Sequence, residues 1–339
     1  MCYACPLMRV RRSGNETARC DHAGDGRDFG GTAKCTSAAV RSKVWRLAFL
    51  NTDSWESEVQ RALFEVFRNE LQKLGYTDGK NLVIERRAAE GRIERLDQLA
   101  NELIAEKPDV VVAVATPAIA AARRATATIP IVMWGAGDAV ALGLINSLAH
   151  PGGNLTGVAT MFSDTTGKSL ELLHSILPAA TRVAVLGSPI PARKRQFEET
   201  EAAAKILGLE TIPIFTFSRN DLGQAFERMV QEKCDALLVL AAPIEPQIVL
   251  LAARTKIPAV YQISAFVDLG GLASYGASLA VMGKQTAQYT AKIFQGAKPA
   301  ELPVQQPVAF ELALNLKTAA ALGLKIPAEV IGRADKVIE

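Results

Sequence analysis

From Val44 onward the chain alternates short runs of β-branched and aliphatic residues with stretches of helical periodicity, the pattern of βαβ units built around a parallel sheet. Trp45 to Leu50 is predicted as the first strand. Ser57 to Lys73 follows, with Val59, Leu63, Val66, Phe67, Leu71 and Leu74 at i, i+3/i+4 spacing and Gly75 as a left-handed stop just beyond the end. That spacing predicts an amphipathic helix with those side chains inward. Asn81 to Arg87 reads as the second strand, Arg92 to Glu106 as a helix with Leu96, Leu99, Leu103 and Ile104 inward, and Asp109 to Ala113 as a buried third strand. Thr116-Pro117 opens another helix, with Thr as N-cap and Pro at the first helical position, where its missing N–H costs nothing. Ile129 to Trp134 is the fourth strand, followed by Gly135-Ala-Gly-Asp138 and a short helical stretch from Ala139 to Leu148.

The segment His150-Pro-Gly-Gly-Asn154 breaks the helical pattern and Leu155 to Thr160 resumes as a strand. A second series then repeats the alternation. Helices are predicted over Gly167 to Leu177, Lys194 to Leu207, Asp221 to Glu232 and Pro246 to Thr255, and strands over Arg182 to Leu186, Glu210 to Phe217, Ala236 to Leu240 and Pro258 to Tyr261. Gly271 to Tyr275 and Val304 to Phe310 are further extended pieces, with a helix from Met282 to Gln295 between them. Too few elements remain at the end to bury a third core, so they return to the two existing lobes. The expected fold is α/β, with two doubly wound parallel-sheet lobes joined by a hinge that the chain crosses more than once. The boundaries expected are a disordered leader over 1–43, lobe I over 44–159 plus 278–303, and lobe II over 160–277 plus 304–339.

The chain has 339 residues, 49% hydrophobic and 22% charged, enough for two modest cores. Its net charge of +3 is unevenly placed: residues 1–43 hold 8 Lys/Arg against 4 Asp/Glu, leaving 30 against 31 in the rest. A near-neutral body lacks the clustered basic excess that a nucleic-acid backbone requires. Cys2, Cys5, Cys20 and Cys35 lie in the same basic leader, and Cys234 stands alone in the body, so the body has no pair for a disulfide. Cys2-x-x-Cys5 with Cys20 and His22 offers thiolates and an imidazole for zinc, but no knuckle-forming pattern surrounds them and no metal is expected. Neither a signal-like apolar run in residues 1–43 nor a membrane-spanning stretch is predicted; Val110 to Ala122 contains a proline and is shorter than the roughly 20 residues a span needs.

The motifs of common enzymes are missing. Gly135-Ala-Gly-Asp138 has Val140 where a dinucleotide fingerprint needs its third glycine, and there is no nucleophile elbow, phosphate loop or zinc-protease pair. His22, His150 and His174 assemble into no triad, and His174 reads as a helix-packing residue. No catalytic residue and no cofactor are expected. What remains is a row of small and polar residues at the carboxyl ends of the predicted strands, where open α/β sheets bind ligands: Asn51-Thr-Asp53, Thr116, Asp138, Ser188-Pro189 and Pro243. Thr116 serves an anion or simply caps its helix; Asp138 holds a ligand ammonium or caps the next helix. Trp134, Tyr261 and Tyr275 are either aromatic walls or core residues.

With these residues in view, the chain resembles the ABC-transporter substrate-binding proteins that take amino acids such as tryptophan or tyrosine. The matching segments are Leu74-Gly-Tyr-Thr-Asp-Gly-Lys-Asn-Leu, Ala125-Thr-Ala-Thr-Ile-Pro-Ile-Val, His150-Pro-Gly-Gly-Asn-Leu-Thr-Gly-Val, Gly270-Gly-Leu-Ala-Ser-Tyr-Gly and Glu311-Leu-Ala-Leu-Asn-Leu-Lys-Thr-Ala-Ala-Ala-Leu-Gly-Leu-Lys-Ile-Pro, in the family's order. The resemblance implies the type I periplasmic binding protein fold, a clamp that closes on a small molecule, a membrane permease as partner, a monomer, and a periplasmic or cell-envelope location. It implies ligand contacts at Asn51, Thr116, Asp138, Ser188, Pro243 and Tyr275. The chain departs from the family where an amide is expected at Ser188-Pro189, where Ala241-Ala242 replaces an acidic residue before Pro243, and in lacking a recognisable export signal. The first two departures weaken the second lobe's polar grip and leave room for a more apolar ligand. The alternatives are an α/β enzyme that modifies a small molecule and a ligand-sensing regulator; the latter needs a helix-turn-helix head of about 50–60 residues, which residues 1–43 do not spell.

Overall fold

A computed structural model describes residues 43–160, 162–189, 191–240 and 244–339. In chain order the first series is β1 (Trp45–Asn51), α1 (Glu58–Lys73), β2 (Leu82–Ala88), α2 (Leu96–Ala105), β3 (Val110–Val114), α3 (Ala115–Ala125), β4 (Ile131–Ala136) and β5 (Leu155–Ala159). The second is α4 (Phe162–Ile176), β6 (Arg182–Gly187), α5 (Pro191–Ile206), β7 (Glu210–Phe215), α6 (Leu222–Gln231), β8 (Ala236–Val239), α7 (Pro246–Thr255), β9 (Ala259–Tyr261), α8 (Ala265–Asp268) and β10 (Ala273–Ala277). The chain ends with α9 (Leu279–Phe294), β11 (Phe310–Asn315), α10 (Leu316–Ala321), α11 (Ala328–Gly332) and β12 (Lys336–Ile338).

Two sheets organise these elements. The first has strand order β2-β1-β3-β4-β5, all parallel; the second has β12-β11-β10-β9-β8-β6-β7, parallel except where β11 runs antiparallel to β10. Both faces of a parallel sheet are covered by helices, which is why its strands read as unbroken apolar runs. In β1, Leu47 and Phe49 face α1 and α9, while Ala48 and Leu50 face α2 and α3. Likewise Val183 and Val185 of β6 meet the α4 side, and Ala184 and Leu186 meet Phe226 and Met229 of α6. The chain passes between the lobes after β5, after β10 and before β11, so three connections form the hinge. After β10 it returns to the first lobe because α9 packs on α1 through Met282, Ala287 and Phe294. Gly283 allows this approach: a Cβ there would lie 2.6 Å from Trp134 Cζ2.

Several local expectations are corrected. In α1 the buried stripe is Gln60, Phe64, Phe67 and Leu71, and Leu74 is exposed; the helix is turned so that polar Gln60 is buried against hydrogen-bonding partners. Ala139 to Leu148 forms turns, not a helix, because a single turn opened by Asp138 is stopped by Gly143 at φ 64°. Val304 to Phe310 is not a strand of its own: Val304 N–H donates to Leu148 O and Gln305 exchanges backbone hydrogen bonds with Gly157 and Ala159 beside β5, so the next true strand starts only at Phe310. The leader expectation falls on residues outside the described ones, apart from Lys43, which pairs with Asp109 at 2.8 Å and lies over the Trp45 ring. The zinc reading of Cys2, Cys5, Cys20 and His22 is likewise outside the described residues.

Candidate ligand-binding site

The carboxyl ends of β1, β3 and β4 in the first lobe face those of β6 and β8 in the second across a cavity of about 330 Å³. Its first-lobe wall is aromatic. Phe49 at the end of β1 makes edge contacts with Trp55 at 5.4 Å, Phe64 at 5.3 Å and Trp134 at 6.1 Å, and all four rings line the cavity. Such edge-to-face packing fixes ring positions and presents a flat apolar surface.

A ring of polar groups is set into this wall. Asn51 Nδ2 donates to Gln60 Oε1 at 3.1 Å, Gln60 Nε2 donates to Asp53 Oδ2 at 2.7 Å, and the Asp53 N–H donates to Asn51 Oδ1 at 3.3 Å. Asn51 is 1% exposed and stands behind the wall, so it orients Gln60 and Asp53 and does not itself line the cavity. The Asp53 carboxyl is pushed up to about 6, by burial first and then by the negative charge of Glu245; a hydrogen bond from the Ile244 backbone pulls the other way. Ile244 and Glu245 belong to the second lobe, so Asp53 is buried by the meeting of the lobes.

Thr116 lines the cavity but does not cap α3, which starts at Ala115 with Val114 before it. The Thr116 hydroxyl instead accepts the Gly137 N–H at 2.8 Å and ties the β3 and β4 ends together. Ala115 has φ 66°, a left-handed conformation that costs a non-glycine residue roughly 1–2 kcal/mol. Asp138 lines the same wall, accepts the Ala141 N–H at 3.1 Å, and pairs across the cleft with Arg195 Nη1 at 3.2 Å.

The second-lobe wall comes from Ser188, just past β6, and from α5. Arg193 and Gln196 fall on one face of that helix. Arg193 Nη1 donates to Gln196 Oε1 at 3.1 Å, Gln196 Nε2 donates to Gln262 Oε1 at 3.0 Å, and Gln262 Nε2 donates to Phe162 O and Thr166 Oγ1, each at 3.0 Å. This buried relay holds the guanidinium in the cavity. Burial pulls the Arg193 pKa down to about 10, and its Nε, like Trp55 Nε1, is buried without a hydrogen-bond partner among the described residues.

The cavity thus brings together Thr116, Asp138, Ser188 and Trp134. Tyr275 lies elsewhere: it stacks on Phe310 at 6.2 Å and packs on the second lobe's core. Tyr261, 1% exposed and stacked on Phe266 at 4.7 Å, is a core residue. Pro243 lies outside the described residues. His174 sits in α4 and is not a lining residue.

A family model described as ABC transporter substrate binding protein matches residues 49–338. The chain belongs to that family. Among substrate-binding proteins it is similar to a tyrosine-binding protein of Clostridioides difficile (strain R20291), 27% identical over 266 residues and 76% of each chain. Among solved structures it is similar to an ABC domain from Streptococcus pneumonia in complex with L-Trp, with a TM-score of 0.79 and 28% identity over 87% of this chain and 99% of that one. A ligand-free, open substrate-binding protein with adhesive properties from Clostridium difficile gives a TM-score of 0.64 at 26% identity over the same shares. More distant solute-binding proteins and regulators share the fold alone. This substrate-binding protein is therefore a ligand-capturing component of an ABC transporter, built as a two-lobed clamp.

The sequence carries no local sign of the roles of Gln60 and Arg193. Gln60 lies on the helix face that periodicity assigned to apolar neighbours. Arg193 falls just before the helix expected over Lys194 to Leu207, in the cationic run Arg193-Lys-Arg195, whereas the helix starts at Pro191; the Gln196 to Gln262 contact that buries it spans 66 residues and leaves no local trace.

Proposed function

We propose that this protein captures a small molecule with a large apolar or aromatic body and a polar head, an amino acid or similar, and delivers it to the membrane permease of an importer without altering it chemically. It works as a monomer in the periplasm or cell envelope. Lobe I is taken as 44–159 plus 278–305 and lobe II as 160–277 plus 306–339; the expected boundary at 303 moves because Val304 and Gln305 bond to Leu148, Gly157 and Ala159 of the first lobe. The observation that carries the reading is the cavity completed by both lobes: an aromatic wall and Asp53 from one, Arg193 and Ser188 from the other. Its volume lies within the range of about 300–1,000 Å³ common to small-molecule sites. A ligand that touches both walls binds the closed form more tightly than the open one and so draws the lobes together. The better superposition on the L-Trp complex than on the open, ligand-free relative supports a closed arrangement here. Among the described residues no helix is long and apolar enough to cross a membrane.

Small-angle scattering of the ligand-stripped protein, with and without L-tryptophan or L-tyrosine, tests this reading. A decrease in radius of gyration on addition is expected. An unchanged radius with both amino acids, at concentrations that saturate binding, contradicts the clamp.

A further inference from the structure

The charged groups of the cavity are unequally provided for. Asp138 is closed off by Arg195 at 3.2 Å and by the Ala141 N–H. Asp53 accepts two neutral donors, Gln60 Nε2 at 2.7 Å and the Ile244 N–H, and Glu245 next to it pairs with Arg219 at 2.7 Å. Arg193 differs: its Nη1 donates to the neutral Gln196 Oε1, and its buried Nε has no acceptor among the described residues. The other buried polar atom without a partner on a lining residue is Trp55 Nε1, also a donor. Among the fully buried atoms of the lining the unfilled hydrogen-bonding capacity is therefore donor capacity, and Arg193 lacks an opposite charge just as Asp53 lacks a cation. Buried donors left unpaired are costly, and a buried charge more so, so the missing partner is an acceptor that carries negative charge and arrives with the ligand.

We propose that Arg193 is the specificity-determining residue of the site and receives the carboxylate of an aromatic carboxylate ligand, whose ring lies on the wall of Phe49, Trp55, Phe64 and Trp134. The inference rests on the capture reading above and deepens it by naming the head group and its receiver. A guanidinium suits this role because its planar fork matches a carboxylate at two points. The relay through Gln196 and Gln262 sets that fork in place before the ligand arrives. With a pKa of about 10 despite its burial, the group remains cationic at neutral pH. Two sources share this chemistry, an aromatic amino acid and an aromatic acid without the amino group.

The test is calorimetric titration of the full chain, stripped of ligand, with three matched probes: L-tryptophan, indole-3-propionate and tryptamine. Wild type is expected to bind at least one of the two carboxylates and to bind tryptamine at least 50-fold more weakly. L-tryptophan bound in preference to indole-3-propionate identifies the amino-acid source, and the reverse identifies the deaminated one. Arg193→Gln is expected to lose on the order of 10²-fold in affinity for the bound carboxylate, the usual scale for removing one partner of a buried charged pair, with no loss for tryptamine. Removing an uncompensated buried cation should leave the melting temperature of the unliganded protein equal or higher, which separates lost recognition from failed folding. Tryptamine binding as tightly as the carboxylates, or a carboxylate binding Arg193→Gln as tightly as wild type, overturns the proposal while leaving the clamp in place. If wild type binds none of the three, both this proposal and the aromatic amino-acid reading fall.

Discussion

Asp53→Asn is the perturbation whose size follows most directly from the structure. The Asp53 carboxyl has a pKa of about 6 in the folded protein against 3.8 for an ordinary aspartate, through burial and the nearby Glu245 charge. As pH rises the unfolded chain loses this proton first, so between the two values the folded state holds more protons and stability falls with pH. The contribution is fully present below 3.8 and lost once pH has passed about 6. The gap of roughly two pKa units corresponds to at most about 3 kcal/mol at pH 7.5 and to about half of that at pH 5. Asparagine keeps an oxygen to accept the Gln60 and Ile244 donors but carries no charge. The variant is therefore expected to be more stable than wild type by up to about 3 kcal/mol at pH 7.5, with the difference shrinking toward zero near pH 4. Urea unfolding of both proteins across pH 4–8 measures this difference. A variant less stable than wild type at pH 7.5, or a difference that does not change with pH, refutes the reasoning. Because the second lobe supplies Ile244 and Glu245, opening the cleft relieves the same cost, so the variant should also populate the closed form more, by up to roughly 10²-fold.

Two other substitutions probe the walls and the latch. Gly283→Ala places a Cβ 2.6 Å from Trp134 Cζ2 and 2.8 Å from Cη2, and the indole is already hemmed in by Phe49 and Phe67; a loss of about 1–3 kcal/mol in stability and weaker ligand binding are expected in thermal melts and calorimetry, and unchanged values in both would show that the wall yields freely. Asp138→Asn removes the cross-cleft pair with Arg195, whose side chains are 29% and 55% exposed; closure measured by scattering should weaken by no more than about 1 kcal/mol, and less in high salt.

Much of the fold is legible because one physical rule covers it. Strands β1, β3, β4, β6 and β8 are sandwiched between helices, so their hydrophobic runs need no partner information to be read. Failures occur where a tertiary contact outweighs a local pattern. Gln60 is buried in α1 because Asn51 and Asp53 satisfy its amide, a trade invisible to periodicity. Ala139 to Leu148 is apolar enough for a helix, yet its backbone turns back on Ala139 O. The site divides in the same way. Thr116, Asp138 and Ser188 reach the cavity because strand carboxyl ends point there in this topology, whereas Tyr275, in a central strand, turns its ring toward Phe310. Arg193 could not be singled out, since only the distant Gln262 distinguishes it from the solvated Lys194 beside it.

The most direct test of the central claim is calorimetric titration of the ligand-stripped full chain with a panel of aromatic amino acids and their deaminated carboxylates. A single binding event per chain is predicted, with the heat returning to baseline after each injection because the ligand is held and not converted. No binding to any member of the panel, or a sustained heat signal that reports turnover, contradicts the account.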